Sequence, residues 1–208
     1  MNTLHCATKE ELSSCVDLFL KGFSEQISFF FNPPPRALFL DLISAYRESF
    51  PEWVIVAAEK ERKDVLGCIL LSQPIGRVVA LKHFQRDLGL IFWRVLLRKY
   101  SFFPFFKMLR AAGWFLFFSI KGRSLHPKGS GRVVLIAVAE DCQGRGLGRQ
   151  LLEEGLSFLR KEGFQEVVLE VRSDNKRALS LYRTAGFSVT GRIRTPIGVS
   201  HAMLLRLQ

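Results

Sequence analysis

The stretch RVVLIAVAEDCQGRGLGR, from Arg132 to Arg149, decides the fold of this chain. Its first half is a short and continuous apolar run, which is typical of a strand buried on both faces of a sheet. Its second half is rich in glycine. The segment LGRQLLEEGLSFLRKEG, which overlaps it from Leu147 onward, repeats leucine at helical spacing until Gly163. A strand, a glycine turn and an amphipathic helix in this order predict a sheet with helices packed on it.

The flanking segments extend this pattern in both directions. Downstream, QEVVLEV predicts a strand, and Asp174 or Asn175 can cap a helix that ends at Ala185 before Gly186. SVTGRIRT and SHAMLLRL predict two final strands. Upstream, two helices flank Asn32–Pro35, and WVIVAAEK and VLGCILLSQP predict a hairpin around a charged turn. The second half therefore has the order β-α-β-α-β-β of an α/β or α+β sheet.

The glycine turn has the local chemistry of an anion site. The first N–H groups of a helix have no partner within the helix, and the helix dipole adds partial positive charge to them. Arg145 and Arg149 supply further charge. The turn is not a dinucleotide fingerprint, because Arg149 stands where the last glycine belongs, and it lacks the G-K-[ST] of a Walker loop. A glycine turn without a ligand remains the alternative.

Two motifs carry a family resemblance. QGRGLG, from Gln143 to Gly148, resembles the Q/R-x-x-G-x-G/A pyrophosphate motif of the GNAT family of N-acetyltransferases. LEVRSDNKRALSLYRTAGF, from Leu169 to Phe187, resembles the family's closing strand–helix segment, with its Asn, its Leu-Tyr and its Gly-Phe. The likeness is greatest to the ribosomal-protein N-terminal acetyltransferase branch. It implies one domain over residues 1–208, with a mixed, mostly antiparallel central sheet flanked by helices.

The resemblance also implies acetyl-CoA as co-substrate and assigns residues to it. The backbone of Ile136, Ala137 and Val138 would pair with the pantetheine arm, and Asn175 would hydrogen-bond that arm. The residues expected to cradle the pyrophosphate are Gln143, Gly144, Arg145, Gly146, Leu147, Gly148 and Arg149.

Two residues take the catalytic roles that the resemblance implies. Tyr182 would protonate the leaving thiolate, and Glu170 would accept the proton of the attacking amine, directly or through water. A packed helical aromatic and an exposed strand residue remain the alternative explanations for this pair, and Glu140 and Asp141 remain alternative bases. The four histidines show no ligand spacing, so no metal site is predicted.

The segment between the third and fourth strands departs from the family pattern. Residues 77–132 hold 12 of the 30 Lys and Arg but only one of the 19 Asp and Glu, so the whole formal charge of +11 lies there. They also hold 12 of the 25 aromatic residues. We expect a helical insertion over residues 81–127. Packing on the sheet or on a second subunit, peripheral contact with a membrane, and a long acyl tunnel or carrier-protein docking site all remain open. Nucleic acid is the least favoured partner because no recognised motif accompanies the cations.

The sequence thus predicts an acyl-CoA-dependent N-acyltransferase acting on an amine, either a small molecule or a peptide N-terminus. A long-chain N-acyltransferase that uses acyl-CoA or acyl carrier protein is one alternative. A non-catalytic, CoA-binding membrane or protein adaptor is another. The cysteine spacing fits neither a zinc knuckle nor a C-x-x-C pair, and the N-terminus has no apolar h-region, so we expect a cytoplasmic protein with reduced thiols.

Overall fold

A computed structural model describes residues 2–30, 36–59, 64–73, 127, 129–195 and 198–207. Within these residues the chain forms one seven-stranded sheet, which confirms the predicted mixed and mostly antiparallel fold. The strands are β1 (Asn2–Cys6), β2 (Val54–Glu59), β3 (Val65–Ser72), β4 (Gly131–Val138), β5 (Glu166–Arg172), β6 (Ser188–Thr195) and β7 (Gly198–Arg206), in the spatial order β1-β2-β3-β4-β5-β7-β6. The predicted insertion lies, apart from Pro127, outside the described residues.

Helices cover both faces of this sheet. They are α1 (Leu12–Gly22), α2 (Ser24–Phe30), α3 (Arg36–Ser49), α4 (Leu147–Lys161) and α5 (Lys176–Thr184), with a short 3₁₀ turn at Glu140–Cys142. One core cluster joins the sheet to α1 and α3, and a larger one joins its other face to α4 and α5. Alternate residues of β2 belong to the two clusters, as the two-residue period of a strand requires. None of the helices in the described part of the chain is long and apolar enough to cross a bilayer.

The sheet is continuous except between β4 and β5. These two strands run parallel and pair only at Gly131 with Val167 and at Arg132 with Val168. Beyond that point both strands continue, β4 paired with β3 on its outer edge and β5 paired with β7. The result is a split inside the sheet, closed at the start of β4 and open at its end.

The middle of α4 packs closely on β3. The predicted apolar face is confirmed, since Leu151, Leu152 and Leu159 are fully buried. Gly155 lies on the same helix, and a Cβ at that position would stand 2.7 Å from Cδ1 of Ile69, a buried side chain of β3. The absence of a side chain at residue 155 therefore lets α4 approach the sheet closely.

We expect Gly155→Ala to destabilise the protein by about 1 kcal/mol, because overpacking a dense core costs about 1–3 kcal/mol and the gain in helix propensity recovers about 1 kcal/mol. Gly22→Ala is the matched control, since Gly22 is also helical but has no atom within 4 Å of the added Cβ. Urea denaturation should give a lower midpoint for Gly155→Ala alone. Equal or greater stability of that variant would contradict the close approach.

Candidate active site

The open end of the split leads directly into the glycine turn. After Val138 the chain makes the 3₁₀ turn and then passes through Gly144 and Gly146, which have φ of 79° and 83°. Only glycine adopts this left-handed region without steric cost. Gly146 is the N-cap of α4 and supplies no capping side chain. The first N–H groups of a 15-residue helix are therefore available to an anion at this point.

The facing edges of the split carry backbone groups that do not pair across it. Beyond Arg132 and Val168 the backbone groups of β4 and β5 do not pair with each other. An extended ligand can bind such an edge by adding hydrogen bonds in the manner of a further strand. Ile136, Ala137 and Val138, the residues predicted to hold the pantetheine arm, lie on β4 beyond the point of separation.

The cations at the turn differ in their partners. Arg149 forms an i, i+4 ion pair with Glu153 at 2.7 Å, so part of its charge is neutralised within α4. The side chain of Arg145 is exposed and takes part in no ion pair with a described residue. Arg145 is therefore the less constrained of the two cations for a phosphate.

Two amide side chains flank the turn. Asn175, rather than Asp174, is the N-cap of α5, and its Oδ1 accepts a hydrogen bond of 3.0 Å from the N–H of Ala178. Its amide nitrogen remains a donor that can face the split. Gln143 uses both ends of its amide: Nε2 donates to the carbonyl of Val138 at 3.1 Å, and Oε1 accepts from the guanidinium of Arg177.

Tyr182 lies on α5 within the larger core cluster. Its ring packs edge-on against Phe187, with centroids 5.8 Å apart, and only 8% of the residue is exposed. Burial raises the pKa of Tyr182 to about 12, because the phenolate loses hydration. Its hydroxyl has no hydrogen-bond partner among the residues that the structure describes. At neutral pH this group is an uncommitted, protonated donor.

Glu170 lies on the other face of the sheet. It alternates on β5 with Leu169 and Val171, which pack in the same cluster as Tyr182. Its Oε1 accepts a hydrogen bond of 2.9 Å from Nη2 of Arg132 across the closed end of the split. Since Glu170 and Tyr182 extend from opposite faces, they can act on one substrate only through the split.

Two cavities in the described part of the chain, of about 560 and 650 Å³, lie elsewhere. The first cavity borders Gly163–Glu166 and the second borders Leu204–Leu207. Both lie at the end of the sheet opposite the glycine turn. None of the predicted site residues lines either cavity. Neither cavity therefore belongs to the candidate site.

Comparison with known proteins agrees with this geometry. A model of the acetyltransferase (GNAT) family matches residues 17–187, which include both the strand–turn–helix segment and the closing strand–helix segment. The chain belongs to the GNAT family of acetyltransferases. GNAT acetyltransferases take their acetyl group from acetyl-CoA.

Individual relatives cover this GNAT chain to different extents. Mycothiol acetyltransferase of Saccharopolyspora erythraea is 42% identical over 64 residues, which are 31% of this chain and 21% of that protein. The chain therefore spans about a fifth of that relative's length. The NatC complex bound to Gag peptide and CoA contains a chain that aligns with a TM-score of 0.62 at 16% identity, over 100% of this chain and 99% of that one. Ribosomal-protein-alanine N-acetyltransferase of Brucella melitensis aligns with a TM-score of 0.61 at 15% identity, over 99% of each chain. At these identities the two structures share the GNAT fold with this chain.

Sequence reasoning did not single out Arg132 and Arg177, which contact two of the predicted site residues. Arg132 pairs with Glu170, which lies 38 residues away, and Arg177 bonds Gln143, which lies 34 residues away. Both contacts cross the split. No local sequence pattern predicts these two contacts, because they depend on which strands lie side by side.

Burial of Tyr182 predicts a measurable pH dependence of stability. The pKa of Tyr182 in the folded protein lies above its unfolded value of about 10. The stability that the buried, protonated tyrosine contributes is therefore present below pH 10 and is lost as the pH rises toward 12. Between pH 8 and pH 11, we expect the wild type to lose about 1.4 kcal/mol more of its free energy of unfolding than Tyr182→Phe loses. Urea denaturation at the two pH values measures this difference. Equal losses would show that Tyr182 is hydrated in the folded protein.

Proposed function

We propose that the chain transfers an acetyl group from acetyl-CoA to a primary amine, by direct attack in a ternary complex. One observation carries this proposal, namely that a split between parallel strands opens directly onto an uncapped helix N-terminus. Such a site accepts an extended, amide-bearing arm along the split and a diphosphate at the helix N-terminus. We assign the arm to Ile136–Val138 and Asn175 and the diphosphate to the turn from Gln143 to Arg149.

The attacking amine requires a proton acceptor. A primary amine with a pKa of about 10.4 arrives mostly protonated at pH 7 and must lose a proton before it can attack. Glu170 takes this role, directly or through one water, with Arg132 holding the carboxylate at the closed end of the split. The new C–N bond then forms as the C–S bond breaks.

Tyr182 serves the departing sulfur from the other face of the sheet. Full transfer of its proton to a thiolate, whose conjugate acid has a pKa of about 8.5, would cost about 5 kcal/mol because the pKa of Tyr182 is about 12. The hydroxyl therefore stabilises the thiolate mainly as a hydrogen-bond donor, and water completes the protonation. This refines the simple acid role that the family resemblance implies.

The acceptor is a small amine or a peptide N-terminus. A mycothiol acetyltransferase shares 42% identity with a part of this chain, whereas an N-terminal acetyltransferase of the ribosomal branch shares its fold at 15% identity. The two likenesses favour different acceptors, and a transfer assay must include both classes. The long-chain and adaptor hypotheses, the second subunit and the membrane contact depend on residues 81–127, and no described contact favours them.

Binding of acetyl-CoA tests the cofactor assignment. We expect native mass spectrometry to show one acetyl-CoA per chain, with Gly146→Ala weakening binding because a side chain at φ of 83° is strained and shifts the N–H groups of the turn. Gly163→Ala is the matched control, since Gly163 has φ of 85° near the other end of the same helix. Equal binding by wild type and both variants would remove the turn from the site. Preference for palmitoyl-CoA over acetyl-CoA would favour long-chain transfer.

The role of Glu170 predicts a pH-dependent loss of activity. We expect Glu170→Gln to lower kcat/KM for the amine about 100-fold at pH 7, with a smaller loss at pH 9.5, where more of the amine is already deprotonated. Glu166→Gln is the control, because Glu166 lies on the same strand and also pairs with an arginine, Arg206. Wild-type rates in both variants would return the base role to Glu140 or Asp141.

A further inference from the structure

The amide of Gln143 bonds both sides of the split at its open end. Its Nε2 donates to the carbonyl of Val138, the last residue of β4, at 3.1 Å. Its Oε1 accepts from Nη1 of Arg177, the second residue of α5. Since α5 follows β5 after a short turn, the side chain of Gln143 connects the end of β4 to the helix that comes after β5.

The orientation of this amide is determined by its partners. A backbone carbonyl only accepts and a guanidinium only donates, so rotating the amide by 180° would lose both hydrogen bonds. The bond from Arg177 is charge-assisted, which makes it the stronger type of contact. Both side chains are exposed, so water competes with them and the contribution is modest.

Cross-links matter here because the strands themselves do not hold the split. β4 and β5 pair at two positions and then separate, each supported only on its outer edge. In the part of the chain that the structure describes, Arg132–Glu170 crosses the closed end and Gln143–Arg177 crosses the open end. The first contact lies on the face of the proposed base, and the second lies where the arm meets the diphosphate.

We propose that Gln143 and Arg177 form a strut that fixes the width of the split at its open end. Arg177 is then a positioning residue for the coenzyme arm, acting through Gln143, and the side chain of Gln143 is not itself a phosphate ligand. This inference rests on the proposed function, since it takes the split to be the coenzyme site. The competing explanation is that Arg177 contacts the diphosphate directly and that its bond to Gln143 is incidental.

A double-mutant cycle on CoA binding separates the two explanations. For a strut, Gln143→Ala and Arg177→Ala each raise the Kd for CoA about fivefold, and the double variant is no weaker than either single variant, because removing either end breaks the same link. For a direct ligand, Gln143→Ala keeps the charge of Arg177 and leaves the Kd unchanged. Additive losses, or a loss in Arg177→Ala alone, would overturn the strut. Arg183→Ala is the charge-matched control, since Arg183 lies in the last turn of the same helix and is exposed.

Kinetics give a readout that a general loss of stability would not reproduce. We expect both strut variants to raise KM for acetyl-CoA by a similar factor at unchanged kcat, with the thermal midpoint of unfolding equal to that of Arg183→Ala. A fall in kcat without a change in KM would overturn the assignment.

Hydrogen exchange of the coenzyme-free protein tests the strut independently of coenzyme binding. We expect backbone amides of residues 139–146 to exchange several-fold faster in Gln143→Ala and Arg177→Ala than in the wild type or Arg183→Ala. If the wild type binds no CoA, the proposed function fails while this comparison still decides the strut. Equal exchange in all four proteins would show that no strut exists.

Discussion

The short parallel contact between β4 and β5 is the constraint on which the rest of the structure depends. Two residue pairs bring the strands together, and their outer neighbours then hold them apart. Buried backbone groups that lose a ladder partner carry a free-energy cost until water or a ligand satisfies them. The fold therefore leaves two strand edges unpaired with each other at one place, and the residues proposed to hold the coenzyme lie along this split or at its open end.

The turn at the open end depends on backbone geometry more than on side-chain charge. Arg149 is paired within α4, and the excess positive charge of the chain lies in residues 77–132. What remains at the turn is one exposed cation, Arg145, together with a helix dipole, the first N–H groups of α4 and two glycines at positive φ.

The sequence predicts the elements of the second half of the chain well and the contacts across the split poorly. The apolar run of β4, the leucine spacing of α4 and the stops at Gly163 and Gly186 are local signals, and the structure confirms these elements. The prediction that β4 is buried on both faces is wrong at Val134, which is 46% exposed. The choice between Asp174 and Asn175 as a cap is also local, but it needed the geometry of the turn. The pairs formed by Arg132 and Arg177 depend instead on sheet order, which periodicity does not encode. The catalytic and cofactor roles themselves rest on the family resemblance and stay predictions.

The two faces of the split divide the proposed proton chemistry. Glu170 shares its face with Arg172, which bonds Glu25 of α2, whereas Tyr182 extends from α5 into the core cluster on the other face. An amine proton is then accepted on one side, and the sulfur is stabilised from the opposite side, without a relay that joins the two groups. Such a separation suits a reaction in which an amine adds to a carbonyl carbon and a thiolate then leaves the same carbon, each served by its own group.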